Sequence, residues 1–199
     1  TADASKPAAA QAAAAPASGA SAPAARPDPS APKPFAEVIK DAKQQAGFFP
    51  VWRKDEKVWL EIPADRLDKP FLLSASVSES IGERGLYGSQ MGPSWLATFR
   101  RVGNQIQLIA LNTEYVATTP AMKATVAQAF SDSLLAAGAV ASAPHPERKS
   151  VLVDANFLIA DLPNYAMAIE QAFRLTYGLD RTNSAIEKAR VSDDMTSLN

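Results

Sequence analysis

The 199-residue chain has no cysteine and a single histidine, His145. The first absence removes disulfide scaffolds, thiolate metal sites and cysteine nucleophiles. The second removes any metal centre that needs two imidazoles from this chain. Charge of one sign is missing as well. Twenty Lys and Arg against 21 Asp and Glu leave a formal charge of −1, without the basic field of a general nucleic-acid binder. Long apolar runs are also absent. The longest weakly polar stretch, Leu134 to Ala143, is half the roughly 20 residues that a membrane-spanning helix requires.

What is present divides sharply near residue 34. Thr1 to Pro34 holds 15 Ala, 7 Pro and 4 Ser, with no aromatic residue and no Val, Ile, Leu or Met. Such a segment cannot bury enough apolar surface to offset the entropy of ordering it, and its prolines break the helix that alanine favours. Residues 1–34 therefore read as a disordered Ala/Pro-rich tether; an Ala-rich helix over Ala8 to Ala15 is the alternative, short, uncapped and stopped by Pro16. The chain begins with Thr and shows no charged segment followed by an apolar one. The expectation is an exported protein, periplasmic or secreted, whose signal peptide has been removed, although cytosolic linkers share this composition. All aromatic residues lie in residues 35–199, enough chain for one real core.

Within that body, Phe35, Val38, Ile39 and Ala42 line one helical face, with Gly47 as the stop. Phe48–Arg53 and Val58–Ile62 read as a hairpin, followed by a helical turn over Pro63–Asp68 and a strand over Phe71–Ser78. The clearest hairpin joins Trp95–Val102 to Gln105–Val116 through Gly103-Asn104, because glycine accepts positive φ at the first turn position. That register places Val102 opposite Gln105, Phe99 opposite Leu108 and Ala97 opposite Ala110. Thr119-Pro120 opens a helix to about Ser131, in which Met122, Val126 and Phe130 share a face. Strands over Ser133–Ala141 and Ser150–Asp154 follow. A second strong helix, capped by Asp161, carries Leu162, Tyr165, Ile169, Phe173 and Tyr177 and ends at Gly178. Met195–Asn199 begins another strand. Hairpins interspersed with helices, without regular βαβ alternation, predict an α+β fold. It is a mainly antiparallel sheet built from hairpins, with two or three amphipathic helices packed on it. Residues 35–199 form this domain; a small 35–70 subdomain followed by a larger one is an alternative partition.

Chemistry-bearing patterns are few. His145 sits between two prolines and reads as a solvated loop residue, since a catalytic imidazole needs a partner and a rigid support. The loop Ser80–Ser94 carries Gly82, Gly85, Gly88 and Gly92 but no Gly-Lys-Ser/Thr string, and Glu83 opposes an anion. Its length and tolerance of unusual φ make Gly82, Arg84, Gly85, Tyr87 and Met91 the candidate contact residues. No Gly-x-Ser-x-Gly elbow occurs. Trp52, Trp59 and Trp95 read as core residues before they read as a sugar platform. No catalytic, cofactor-binding or metal-ligating residue is assigned.

Several strings together carry a resemblance. They are Phe35-Ala-Glu-Val-Ile-Lys-Asp-Ala-Lys43 with Gly47-Phe-Phe, and Val58-Trp-Leu-Glu-Ile-Pro63 with Leu67-Asp-Lys-Pro-Phe-Leu-Leu73. Ser80-Ile-Gly82 with Gly85-Leu86, and Phe99-Arg-Arg-Val-Gly103, come next. Phe130-Ser-Asp-Ser-Leu-Leu135, Val151-Leu-Val-Asp154, Phe157-Leu-Ile-Ala-Asp161 and Leu179-Asp180-Arg181 complete the order. From Phe35 to about Ser184 this resembles the N-terminal, non-catalytic region of bacterial exported zinc-dependent metalloproteases of the Met-turn zincin type. The resemblance implies a module without chemistry of its own, whose partner is its own C-terminal catalytic module, with contact to a peptide or protein substrate. Zinc is expected only in that missing module, because His-Glu-x-x-His is absent and His145-Pro-Glu147 does not match it. The alternative is a stand-alone envelope-binding module for a peptide or glycan polymer.

Overall fold

Pro34, in extended conformation, leads into a single helical turn, α1 (Phe35–Val38). In this computed structural model the structure describes residues 32–161 and 165–199, so the expected tether lies almost wholly outside the described residues. The helix expected to run from Phe35 to Gly47 stops after that turn. Asp41 adopts a left-handed φ of 65°, and the polar triplet that follows, β1 (Lys43–Gln45), pairs with β2 (Val51–Lys54) instead. Gly47 is not a helix stop. A Cβ there would collide with the carbonyl oxygen of Ser192 and lie 2.7 Å from Val191 Cγ1, so only glycine lets the two chains pass.

A two-residue turn with Asp55 at φ 52° joins β2 to β3 (Lys57–Ile62), in the register Lys54 opposite Lys57. A 3₁₀ turn over Ala64–Arg66 leads to β4 (Phe71–Val77). The next strand, β5 (Gln90–Val102), begins before the expected Trp95. It reaches back because its pairing with β4 slips past Gly92-Pro93. At Gly92 a Cβ would stand 2.9 Å from the Ala75 oxygen, and proline is tolerated in a strand at such an irregularity. β5 turns at Gly103, φ 57°, into β6 (Gln105–Ala110), and the pairs Val102–Gln105, Phe99–Leu108 and Ala97–Ala110 form as predicted.

Thr119 caps α2 (Pro120–Ala129), accepting a hydrogen bond from the Met122 amide. None of its residues is buried, so the Met122–Val126–Phe130 face does not pack on the sheet as expected. Then come β7 (Ser133–Ala139), β8 (Val151–Asp154), α3 (Asn156–Asp161) and α4 (Tyr165–Phe173). Asp161 closes α3 and does not open α4, and the predicted contribution of Leu162 lies outside the described residues. α4 ends before the expected Gly178, where Arg174 turns left-handed at φ 58°; Tyr177 lies beyond it. A short hairpin, β9 (Ala189–Val191) with β10 (Thr196–Leu198), completes the chain.

Among the described residues these strands make three antiparallel sheets: β1-β2-β3-β8, β4-β5-β6-β7 and β9-β10. The first two meet through a bridge between Val140 and Val153. Alternation points Val58, Leu60, Ile62, Val151 and Val153 from the first sheet, and Ala97, Phe99, Ile106 and Leu108 from the second, into one buried cluster. The other face of the first sheet is covered too. Phe35, Val38 and Ile39 pack on Trp52, Trp59 and Leu152, which explains why five consecutive residues of β3 are buried. Gly138 belongs to the same economy of space, since a Cβ there would meet Val153 at 2.7 Å and Phe157 at 3.0 Å.

The two kinds of glycine predict different losses. Gly47→Ala should lower stability by about 3 kcal/mol, from overpacking added to backbone strain. Gly103→Asn, with nothing within 4 Å of its Cβ, should stay within about 1 kcal/mol because asparagine adopts the left-handed region. Urea unfolding of both variants measures the contrast, and equal losses would refute it.

Candidate functional site

Glu61 faces outward from β3, toward α1, and is 2% exposed. A carboxylate so withdrawn from water needs donors for both oxygens. It has them. Oε1 accepts from Ser150 Oγ at 2.6 Å and from Arg148 Nε and Nη2 at 3.2 and 3.1 Å; Oε2 accepts from Trp52 Nε1 at 2.7 Å. β2 brings Trp52 and the Pro144–Ser150 loop brings the other two. His145 holds that loop in shape, its Nδ1 accepting from the Glu147 and Arg148 amides at 3.2 Å each. Its ring meets Phe35 edge-on at 5.0 Å, and Arg148 lies 5.9 Å above the same ring. His145 is therefore half-buried and structural, not the solvated residue expected. This cluster went unassigned in the sequence. The available signal was one acidic residue inside the otherwise apolar string Val58-Trp59-Leu60-Glu61-Ile62.

Beside it, α1 and the β2–β3 turn enclose an open cleft of about 640 Å³. Lys33 and Glu37 form one lip, Lys54 to Lys57 the other, and Trp59 and Ala141 lie between them. Lys54 is bound to the Lys40 carbonyl at 3.0 Å and to Asp41 at 3.5 Å. The three tryptophans form no common platform. Trp52 and Trp59 sit opposite each other on the outward face of the first sheet, whereas Trp95 pairs with Leu73 on the second.

The structure separates the five candidate contact residues. Gly82 and Gly85, at φ 80° and 83°, shape a tight turn closed by Gly82 N to Leu86 O at 3.0 Å and Leu86 N to Glu83 O at 2.9 Å. Arg84 is exposed but engaged within the chain. Its Nη1 donates to the Ala172 carbonyl at 3.3 Å and its guanidinium lies 4.8 Å over the Phe173 ring, which caps the end of α4. Tyr87 and Met91 are exposed, but Met91 belongs to β5, opposite Ser76, not to the loop.

A smaller pocket of about 210 Å³ opens between Phe157, Ile159, Leu179 and Ala185, with Asp154, Arg181 and Ser184 among its walls. The adjoining turn is tied by Asp180. Hydrogen bonds from the Thr182 hydroxyl and the Asn183 amide, with the backbone amides of both, hold its carboxyl down at about 2, from 3.8.

Neither place fits a catalytic zinc. Among the described residues no three His, Asp or Glu side chains converge, and the Nδ1 of the lone imidazole serves its own loop. Among the described residues, too, no helix is long and apolar enough to cross a membrane.

A family model described as a domain of unknown function (DUF5118) matches residues 32–80. The match runs from α1 to the end of β4, and its description names no activity and no protease. It falls well short of the Phe35–Ser184 span of the resemblance drawn from the sequence. No curated protein and no solved structure matches the chain. The matched segment holds Glu61 and Trp52, while Arg148, Ser150 and β8 lie outside it.

Glu61→Gln leaves the buried Ser150 and Trp52 donors competing for one acceptor. It should cost about 2–4 kcal/mol, against at most about 0.5 kcal/mol for Glu56→Gln in the exposed turn. Thermal melts followed by tryptophan emission give both values. Because the Asp180 value is lowered on folding, its contribution is complete above about pH 4 and is lost as pH falls toward 2. Carboxyl ¹³C titration should find its midpoint near 2; a midpoint near 3.8 contradicts the hydrogen-bonded turn.

Proposed function

We propose that this chain is a non-catalytic accessory module of an exported bacterial zinc metalloprotease, acting in the periplasm or outside the cell. It packs against its own catalytic module, shapes the substrate cleft or assists folding. One observation carries the reading: the strings that resemble that family run in order through α1, β3, β4, β5, β7, β8 and α3 and through the loops at Ser80–Leu86 and Leu179–Arg181, so the likeness follows the whole body rather than one site. The buried polar chemistry agrees with it. Glu61, the best-placed carboxylate, spends both oxygens on internal donors, an arrangement suited to holding segments together rather than to acid–base work. Exposed Leu72, Leu96 and Leu134 on the second sheet offer apolar surface for a protein contact. Zinc, on this reading, belongs to the catalytic module.

A second reading is a stand-alone envelope-binding module for a peptide or glycan polymer. The cleft of about 640 Å³ between Lys33 and Glu37 on one side and the Lys54–Lys57 turn on the other favours it, since a groove with charged lips can seat a polar polymer; Trp59 in its wall is buried and offers little surface for stacking.

The purified chain should bind no stoichiometric zinc by mass spectrometry and leave casein intact. Zinc binding with cleavage would defeat the accessory reading. Titration with peptidoglycan fragments, glycans and peptides should leave tryptophan emission unchanged; a saturable shift would transfer support to the envelope-binding reading. A His-Glu-x-x-His helix downstream in the encoding reading frame would decide for the first.

A further inference from the structure

Methionine ranks among the residues most often fully buried, yet all four methionines of this chain lie at its surface. Met91 is 82% exposed, Met122 56%, Met195 54% and Met167 50%. Among the described residues, the buried core and the side chains packed against it are Phe, Trp, Ile, Leu, Val and Ala. The four do not share an element. Met91 stands on β5, Met122 in the first turn of α2, Met167 on α4 and Met195 in the turn between β9 and β10. Two of them hold their turns by backbone groups alone: the Met122 amide donates to Thr119 Oγ1, and the Met195 carbonyl accepts from the Ser192 amide. Neither bond involves sulfur.

The chain has no cysteine, so these thioethers are its most readily oxidised groups, ahead of imidazole, indole and amine. The indoles are where oxidation does harm. Trp59 is buried, and Trp52 Nε1 donates to Glu61 Oε2 at 2.7 Å, so an oxidised Trp52 would leave a buried carboxylate short of a donor. A sulfoxide at any of the four methionines meets water instead.

We propose that Met91, Met122, Met167 and Met195 are sacrificial sulfoxidation sites, which consume hypohalous acids at the surface before these reach the indoles of the first sheet. This inference is independent of the proposed function. In each event the thioether sulfur loses two electrons and takes the oxygen of hypochlorous acid; chlorine is reduced to chloride, which leaves with the proton. One equivalent of oxidant gives one sulfoxide, so the chain absorbs four, one for each methionine. The product is polar and would disrupt a core, but at these positions it displaces no packed neighbour of the buried cluster. Exposure also leaves both sulfoxide epimers open to thiol-dependent reductases, which restore the thioether.

Stepwise addition of hypochlorous acid to the full 199-residue chain, read by peptide mass mapping and tryptophan emission, tests this. The first four equivalents should place one oxygen on each methionine, with Met91 the fastest. Tryptophan emission should be retained, and Tm should fall by no more than about 5 °C, as for a few surface substitutions. A variant carrying Met91→Leu, Met122→Leu, Met167→Leu and Met195→Leu should keep the circular dichroism of wild type. Over the same additions it should lose at least about three times as much tryptophan emission. Leu108→Met conserves core volume, and the sulfur it places in the fully buried site should oxidise at least about tenfold more slowly than Met91. Tryptophan loss before the methionines react, equal loss in the leucine variant, unfolding on sulfoxidation, or a sulfur at position 108 as reactive as Met91 would each overturn the proposal.

Discussion

The carboxylate of Glu61 is the one charged group among the described residues that is almost fully withdrawn from water, and three segments distant in sequence meet at it. Trp52 arrives on the neighbouring strand, Ser150 and Arg148 from the loop before β8, and the Phe35 ring shields the guanidinium. Taking a carboxylate out of water costs more than its contacts return unless every lone pair is met. The value of the arrangement is therefore specificity: a β8 shifted by one residue would turn Ser150 away and leave the charge without its shortest hydrogen bond. Phe35, Trp59 and Leu152 can close over the first sheet because the polar group beneath them is already satisfied.

The two principal sheets differ in what covers them. The first is buried on both faces, by the common core and by α1. The second shares the core on one side; on the other, Leu72, Leu96 and Leu134 are exposed whereas Thr98 and Ile109 are buried, and no residue of α2 is buried. Apolar surface left open in this way is more often a contact face than an accident of packing. The matched segment of unknown function, residues 32–80, owns most of the covered sheet and only one strand of the open one. Its central strand borrows β8 from outside it, so the matched stretch cannot complete its own sheet.

Local signals were legible where two adjacent elements decided the outcome. The Gly103-Asn104 turn set the β5–β6 register, and Thr119-Pro120 set the start of α2, because each depends on residues a few positions apart. Legibility failed where distant chain intervened. The 3.6-residue periodicity of Phe35 to Ala42 was real, yet Lys43–Gln45 gained more by pairing with β2 than by extending a short helix. Gly47 looked like a helix terminator, and its purpose shows only when Ser192 is brought beside it. His145 and Glu61 were misjudged or missed for the same reason: the burial of each is set by a distant neighbour, Phe35 for His145 and Ser150, 89 positions on, for Glu61, which no local pattern encodes. Of the five contact candidates, Gly82 and Gly85 occupy the strained turn positions that their type implies, whereas Arg84 is taken up by α4.

The order of β1-β2-β3-β8 has a kinetic side. β3 finds β2 across a two-residue turn, but its second neighbour lies far downstream; Ser150 and Glu61 are 89 residues apart. On a ribosome adding roughly 5–20 residues per second, that separation is about 4–18 s of synthesis. During that interval β3, five of whose six residues are buried in the folded protein, has an open flank and Glu61 lacks its Ser150 and Arg148 donors. The nascent chain thus passes through a stage in which its future centre is an exposed edge. An organism that makes this protein must shield Lys57–Ile62 from other nascent strands until β8 leaves the exit tunnel.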